Sequence, residues 1–197
     1  MQLALFDFDG TITNQDMYTK FILYSATPTR LLLGGLFFSP LYLLHKFGLI
    51  PARFLRPLVS YCAFVGRSDK SVALLGQRYA ADIIPKYIRP EVIATLEQLQ
   101  SDGVEITLVS ASLDIYLKPW CQQLGIDLIC SEMKLKAGRH TGSYLSGDCS
   151  CEAKAEKVKR KYPIHDYQKV YAFGDTHEDL AMLALADEAY MNGHRVT

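Results

Sequence analysis

The sequence predicts an α/β fold in which a parallel sheet carries an inserted, all-helical cap, and three observations predict it. Short apolar segments alternate with helical patterns at the start of the chain and again after residue 85, as in proteins built on a parallel sheet. Residues 15–84 show helix signals without the alternation of a strand. Polar residues follow the apolar segments directly. We therefore expect a core formed by residues 1–14 and 85–197, with residues 15–84 as the cap.

The composition is that of a folded, globular protein. Of the 197 residues, 49% are hydrophobic and 21% are charged, and the formal net charge is zero, so we expect no nucleic-acid partner. The five cysteines show no zinc-site spacing and are expected to be reduced thiols of a cytoplasmic protein. No basic segment precedes the first predicted strand, so we expect no signal peptide.

The first apolar segment, residues 3–6, has the pattern of a buried parallel strand and is followed by Asp7 and Asp9. Side chains two residues apart on a strand emerge on the same side, so both carboxylates are expected to point to one place. Such a pair repels itself unless a cation or a shared proton separates the charges. Alone, it is more often a structural acidic turn, so its interpretation depends on the later segments.

The predicted cap is basic as well as helical. Residues 15–84 contain eight Lys or Arg and three acids, a net charge of +5. Thr27-Pro28 and Ser39-Pro40 are typical helix starts, with a capping residue before a proline in the first turn. We therefore expect one helix to end and another to begin at Ser39-Pro40.

Residues 31–50 form an apolar run that is long enough to cross a membrane. Gly34-Gly35, the break at Ser39-Pro40 and the basic pair His45-Lys46 argue against a span. A single crossing would also separate Asp7 from everything after residue 50. The run is therefore expected to be cap core, a partner surface, or a face in peripheral contact with a membrane, because apolar helices with basic flanks suit anionic interfaces.

After residue 85, strands and helices alternate again. The second strand is predicted to end at Ser110, Ala111 and Ser112, where Ser112 would cap the next helix. A strand over residues 170–173 ends just before Asp175. The remaining predicted elements are a strand over residues 126–130, a β-hairpin flap over 135–145, a basic helix over 152–162 that carries Lys154, and an edge strand over 188–191.

The strand ends bring together residue types that suit phosphoryl chemistry. In a parallel sheet, Asp7, Asp9, Ser110 and Asp175 meet at the carboxyl edge, with Asp179 one helical turn later. Several carboxylates in one place call for a hard divalent cation, and Mg²⁺ is the usual one beside phosphate. A serine hydroxyl and a lysine ammonium suit the outer oxygens of a phosphoryl group, and a carboxylate beside Mg²⁺ can attack phosphorus.

These segments resemble the four motifs of the haloacid dehalogenase superfamily. The motifs are DFDGT at residues 7–11, LVSAS at residues 108–112, Lys154, and GDTHED at residues 174–179, in the family's order. A helical cap between the first two motifs is similar to subfamily IB, the phosphoserine-phosphatase-like branch. The resemblance implies a Rossmann-type, three-layer core with a parallel sheet, a C1-type cap and a short hairpin flap.

The resemblance also implies a role for each motif residue in a Mg²⁺-dependent phosphatase. Asp7 would be the nucleophile that forms an aspartyl-phosphate, and Asp9 would protonate the leaving oxygen and later deprotonate water. Ser110 would hold a phosphate oxygen, assisted by the amide of Ala111 or Ser112. Lys154 would steady the transferred charge, with Lys157 as the alternative lysine one turn away.

The metal site implied by the resemblance consists of Asp7, the backbone carbonyl of Asp9, and Asp175. Asp179 would orient metal-bound water. Asp16 stands where phosphoserine phosphatases carry an acid for the substrate's ammonium group, although it is also placed to begin a helix. The resemblance assigns no role to any other residue.

The substrate is left open by the sequence. We favour a small phosphorylated metabolite in a cytoplasmic enzyme. The apolar, basic cap is similar to that of the phosphatidylglycerophosphate phosphatase branch, so a phospholipid head group at the inner membrane face is the alternative. A non-catalytic relative that binds phosphate or a partner is the third hypothesis, which the complete motif set disfavours.

Overall fold

The computed structural model describes residues 1–196 and contains a central sheet whose strands come from both ends of the chain. Thr197, the last residue of the predicted core, lies outside the described residues. The strands are β1 (Gln2–Phe6), β2 (Glu105–Leu113), β3 (Asp127–Ser131), β4 (Met133–Lys136), β5 (Arg139–Tyr144), β6 (Lys169–Gly174), β7 (Glu188–Met191) and β8 (His194–Arg195). The sheet has the order β3-β2-β1-β6-β7-β8, parallel except for β8, and β4 and β5 form a separate antiparallel hairpin.

The helices fall into a group between β1 and β2 and a group that covers the sheet. The first group is α1 (Met17–Ser25), α2 (Pro28–Lys46), α3 (Ala52–Phe64) and α4 (Asp69–Asp82). The second group is α5 (Pro90–Ser101), α6 (Asp114–Leu124), α7 (Glu152–Lys161) and α8 (Leu180–Leu183). Short 3-10 turns occupy Ile84–Tyr87, Ile164–Asp166 and His177–Asp179.

Both faces of the sheet are buried, because alternate residues of β1 enter two different apolar cores. Ala4 and Phe6 pack in a cluster that includes Leu117 of α6. Leu3 and Leu5 pack in a second cluster, which includes Val158 of α7 and Met182 and Leu183 of α8. The predicted three-layer α/β core with a parallel sheet, a helical insertion and a hairpin flap is therefore confirmed. The division at residues 14 and 85 stays a prediction, in line with this order of elements.

The cap is joined to the core by a cluster of aromatic rings. Phe21 of α1 lies 4.7 Å from Tyr116 of α6 and 5.0 Å from Tyr79 of α4, measured between ring centroids. Trp120 of α6 lies 5.2 Å from Phe8, the residue between the two predicted catalytic aspartates. Because these rings belong to one apolar cluster, the base of the cap and the core fold as a single packed body.

Helix α2 differs from the prediction, because it continues through Ser39-Pro40 and none of its 19 residues is buried. Proline inside a helix leaves the carbonyl four residues earlier without its usual donor. That carbonyl belongs to Leu36, and both Leu36 and Pro40 are exposed, so water can hydrate it and the helix need not break. Across residues 1–196, no helix combines the length and the hydropathy that a membrane crossing requires.

Candidate active site

The pairing of the central strands places the first and fourth motifs side by side. Phe6 pairs with Leu108 on one side and with Phe173 on the other, so Asp7 and Asp175 follow the ends of adjacent strands. Gly10 lets the chain turn here with a φ of 87°, and a Cβ at this position would lie 2.0 Å from Oδ2 of Asp175. Only glycine therefore allows the first motif to approach the fourth this closely.

Lys154 lies between two of the predicted carboxylates. Its Nζ donates hydrogen bonds to Oδ1 of Asp7 and to Oδ1 of Asp179, the latter at 2.5 Å. The lysine is buried, as are both partners. Lys157, the alternative lysine, donates instead to the carbonyl of Cys130 at 3.0 Å. The structure therefore brings Lys154 into the carboxylate cluster and leaves Lys157 outside it.

The carboxylates of Asp7, Asp175 and Asp179 form a group that could hold a metal ion, with one oxygen from each lying within 4.8 Å of the others. Asp179 is oriented by the backbone amides of Asp175 and Thr176, both of which donate to its Oδ2 at 3.1 Å. The single charge of Lys154 faces three carboxylates, so a divalent cation would balance the rest. All three donors are hard oxygen ligands, which suit Mg²⁺.

Burial and charge repulsion raise the pKa values of two of these carboxyl groups, whereas the third has a lowered pKa. Burial raises the pKa of Asp7 well above its ordinary value despite the neighbouring Lys154, and Asp179 adds to the rise. Burial and the charge of Asp179 raise the pKa of Asp175 to about 6. Burial opposes ionisation of Asp179 as well, but Lys154 and the two amides hold the pKa of Asp179 below its ordinary value.

The carboxylate of Asp9 lies outside this group and is held by the cap and by β2. Its Oδ1 accepts from the backbone N–H of Met17 at 2.6 Å, and its Oδ2 accepts from the hydroxyl of Ser112. Burial, with the nearby charge of Asp16, raises the pKa of Asp9 to about 6. A carboxyl group that titrates near neutrality is suited to giving and taking a proton. Its predicted place in the metal set depends on its backbone carbonyl.

The prediction that Ser112 caps a helix is wrong. Strand β2 runs on to Leu113, and α6 begins at Asp114. Between Val109 and Leu113 the pairing with β3 shifts register, and within this irregular stretch the Ser112 hydroxyl reaches Asp9. Ser110 is buried, and its Oγ accepts from the Ser112 amide at 3.0 Å, whereas Ala111 and Ser112 line the cavity over the site.

Asp16 acts as the N-cap of α1. Its Oδ1 accepts from the amide of Thr19 at 2.9 Å, and its Oδ2 accepts from the Thr19 hydroxyl at 2.5 Å. Asp16 therefore begins a helix, which is the alternative to substrate binding that the sequence allowed. Asp16 also lines the cavity, so its predicted contact with substrate stays a prediction.

The sequence did not predict an arginine of the cap that binds the core beside the three carboxylates. Arg56 of α3 donates to Asp148 through Nε at 2.9 Å and through a terminal nitrogen at 3.2 Å, and to Glu178 at 2.8 Å. All three side chains are largely buried. Its partners are 92 and 122 residues away in sequence, so no local pattern could reveal the contact, although Glu178 belongs to the fourth motif.

A family model described as haloacid dehalogenase-like hydrolase matches residues 4–184. The chain belongs to this family. The family predicted from the four motifs is therefore confirmed, and so is the prediction of an enzyme that is a hydrolase.

Two relatives of this hydrolase match over nearly its whole length. Protein CicA of Caulobacter vibrioides strain NA1000 is 28% identical over an alignment that covers 98% of this chain and 86% of the relative. A histidinol-phosphatase of Neisseria meningitidis serogroup C is 25% identical, with 94% of this chain and 87% of the relative covered. Of these two relatives, the one that is named for an activity is a phosphatase.

Solved structures share the fold of this hydrolase. A protein of unknown function from Bordetella pertussis Tohama I superposes with a TM-score of 0.80 at 18% identity, covering 95% of this chain and 88% of the other. A substrate-bound phosphoserine phosphatase superposes with a TM-score of 0.68 at 18% identity, covering 96% and 84%. The predicted resemblance to phosphoserine phosphatases is thus confirmed for the fold.

Proposed function

We propose that this hydrolase is a Mg²⁺-dependent phosphatase that removes phosphate from a monoester through an aspartyl-phosphate on Asp7. The observation that carries the proposal is the buried Lys154, which binds Asp7 and Asp179 while Asp175 completes a group of three oxygen donors. Membership of the family and the phosphatases among the similar proteins support the same class of reaction.

The reaction needs two proton transfers, and both are assigned to Asp9 in this proposal. In the first step a carboxylate oxygen of Asp7 attacks phosphorus, the bond from phosphorus to the ester oxygen breaks, and protonated Asp9 gives its proton to that oxygen. In the second step Asp9 takes a proton from water as the water attacks phosphorus, and this releases phosphate and regenerates Asp7. Ser112 and the Met17 amide hold the Asp9 carboxylate in place.

Asp7, Asp175 and Asp179 would hold the cation, together with the carbonyl of Asp9. When bound, Mg²⁺ supplies positive charge that screens the carboxylates from the phosphate and stabilises charge in the transition state. Lys154 supplies a fixed positive charge to Asp7 and Asp179. Ser110 and the amides at Ala111 and Ser112 are proposed to contact the remaining phosphate oxygens.

The test is hydrolysis of an aryl phosphate by the protein with Mg²⁺, which also tests the hypothesis of a non-catalytic relative. Asp7→Asn should lower kcat by at least about 10³-fold, because an amide is a poor nucleophile, and chelation of the metal should abolish turnover. Asp166→Asn, a change at an exposed acid, should leave the rate unchanged. Full activity in Asp7→Asn would contradict the proposed nucleophile, and full activity in EDTA would contradict the metal.

For the substrate, we propose a small phosphorylated molecule, supported by the histidinol-phosphatase and phosphoserine phosphatase among the similar proteins. A phospholipid phosphate is the second candidate. It is favoured by the exposed apolar side chains of α2, which include Leu36 and Phe37, and by basic residues of the cap such as Lys46 and Arg53. Sedimentation with anionic vesicles separates the two candidates. A cytoplasmic location stays a prediction.

A further inference from the structure

The carboxylate group forms part of a cavity of about 850 Å³ that extends between the cap helices α1, α2 and α3. Ligand sites commonly span about 300–1,000 Å³, so this cavity is large for the phosphate of a small metabolite. Beyond the carboxylates and Lys154, much of its wall is apolar. The apolar side chains contributed by the three helices include Ile22, Leu23, Leu31, Phe38, Leu55 and Val59.

One face of α2 lines this cavity over most of the helix. The lining residues recur every three or four positions between Arg30 and Lys46, a stretch of about 24 Å at the rise of an α-helix. No residue of α2 is buried, so its apolar inner face is only partly covered by protein. A helix gains most of its stability from covering such a face, which points to a ligand on this surface.

The charged groups on the inner face of α2 stand at its two ends. Arg30 binds the carbonyl oxygens of Cys62 at 2.6 Å and Val65 at 2.8 Å and so fastens α2 to α3. His45 and Lys46 lie at the other end. Among the described residues, those that line the cavity from α2 between Arg30 and His45 carry no charge. A polar ligand group seated there would lose its water without gaining a charged partner.

Two adjacent glycines, Gly34 and Gly35, keep the middle of this groove open. A Cβ at Gly34 would contact only Phe38, at 3.9 Å, and one at Gly35 would have no neighbour within 4 Å. Neither has a positive φ, so the backbone does not require glycine there. Glycine destabilises a helix interior by about 1 kcal/mol relative to alanine, yet both positions face the cavity, where a side chain would take up space.

We propose that the substrate is an amphiphilic phosphomonoester whose phosphate meets Asp7 and whose elongated apolar group lies in the groove between α1, α2 and α3. The apolar group is an alkyl, acyl or prenyl chain, because the walls offer methyl, methylene and ring carbons. This inference rests on the proposed phosphatase reaction and narrows both substrate candidates, the small molecule and the phospholipid, to a phosphomonoester whose alcohol carries an apolar chain.

The test is a series of n-alkyl phosphates, from methyl to octyl, kept below their micellar concentrations. For the unaltered protein, kcat/KM should rise with chain length by up to about fourfold per methylene, the fold-change that corresponds to about 0.8 kcal/mol for a fully buried methylene. Gly34→Leu should remove this rise, and Gly34→Ala should reduce it. Leucine and alanine favour helix more than glycine, so both variants should keep α2.

Leu36→Ala is the matched control, because Leu36 lies on the exposed outer face of α2 and should not alter the series. A second measurement uses n-alkylphosphonates, which are not hydrolysed, with calorimetry as the readout. Their Kd should fall with chain length in the unaltered protein and lose that dependence in Gly34→Leu. The same chain offered as a free monomer or anchored in phosphatidylcholine vesicles distinguishes a soluble amphiphile from a membrane lipid.

The outcomes separate this inference from the reaction on which it rests. Turnover of methyl phosphate without any gain from longer chains would overturn the groove proposal and leave the phosphatase reaction standing. Phosphonates that bind more tightly as they lengthen, in a protein that hydrolyses no ester, would support the groove and overturn the reaction. A Kd that does not change with chain length, or is the same in Gly34→Leu, would overturn the groove.

Discussion

At the scale of single residues, the environment of Asp9 prepares it to exchange a proton. Its carboxylate is partly buried, and this desolvation raises its pKa, while the Ser112 hydroxyl and the Met17 amide stabilise its charged form and limit the rise. The balance leaves the pKa at about 6. The two donors come from different parts of the chain, β2 and the first turn of α1, so the proton donor is tuned by core and cap together.

Ser112→Ala should move the pH profile of the reaction to higher pH. Loss of the hydroxyl destabilises the Asp9 carboxylate, so its pKa rises, and the proton needed by the leaving group is lost only at higher pH. A hydrogen bond to a charged group contributes about 1.5–3 kcal/mol, so the descending limb of kcat/KM should shift upward by roughly one to two pH units. Ser101→Ala, a change at an exposed helix hydroxyl, should not move it. An unchanged or lowered limb would contradict the role of Ser112.

Lys154→Met should destabilise the fold as well as abolish activity. The change leaves Asp7 and Asp179 buried beside each other without the positive charge of the lysine. Breaking a buried ion pair in this way costs about 3–5 kcal/mol. Lys157→Met is the matched control, since it removes only a bond to the Cys130 carbonyl and should cost much less. Urea unfolding measures both. Equal losses in the two variants would contradict the central place of Lys154.

The residues of the site were largely predictable, and their fine contacts were not. Asp7, Lys154, Asp175 and Asp179 could be grouped because strand ends in a parallel sheet converge and because their types and order match a known family. The bond from Ser112 to Asp9 could not be predicted, because it depends on the register shift in β2. A shift of this kind is set by the pairing of two strands and leaves no mark in the local sequence.

At the scale of elements, α2 shows where local rules fail. Ser39-Pro40 is a good helix start, and by itself it predicts a break. The chain keeps one helix because the carbonyl freed by Pro40 lies on an exposed surface, where water replaces the lost donor. The dipeptide Ser39-Pro40 favours the start of a helix. It does not show which side of the helix meets solvent.

Pro40→Ala should make α2 more protected against opening. Alanine restores the donor for the Leu36 carbonyl and removes the ring, a difference of up to about 3 kcal/mol in a helix interior. Amide hydrogen exchange of residues 36–44 should slow in the variant, while exchange in α5 stays the same. Faster or unchanged exchange over this segment would show that Pro40 does not limit the stability of the helix.

At the scale of the whole molecule, two kinds of contact hold the cap against the core. Apolar packing joins the base of the cap to α6, through Phe21, Tyr79 and Tyr116. A charged contact joins α3 to the rim of the site, through Arg56 and its partners Asp148 and Glu178. The first kind fixes α1 and α4 and the second fixes α3, whereas α2 has no buried residue. The sequence predicted a cap but could not predict this division, because both contacts join distant segments.

Arg56→Ala should loosen α3 from the core and change KM more than kcat, because Arg56 holds the wall of the cavity and does not bind the three metal-binding carboxylates. It should also lower the free energy of unfolding by about 3–5 kcal/mol at most, since two buried acids lose their partner. Arg53→Ala removes an exposed pair with Glu152 at 3.9 Å and a contact of the guanidinium with the Phe54 ring. It should stay within about 0.5 kcal/mol of the unaltered protein.

The measurements for this pair are steady-state kinetics and urea unfolding, with hydrogen exchange in α3 as a third readout. Exchange in α3 should quicken in Arg56→Ala alone. A variant whose KM and α3 exchange both match those of the unaltered protein would show that the arginine does not hold the cap.

The position of Trp120 gives the protein a built-in optical probe. It is the single tryptophan of the chain, it is buried, and its ring lies beside Phe8, between the two aspartates of the first motif. All indole emission therefore comes from one place behind the reacting groups, where cap and core rings meet. Unfolding of the joint between cap and core should therefore change this fluorescence signal, which can be followed without any label.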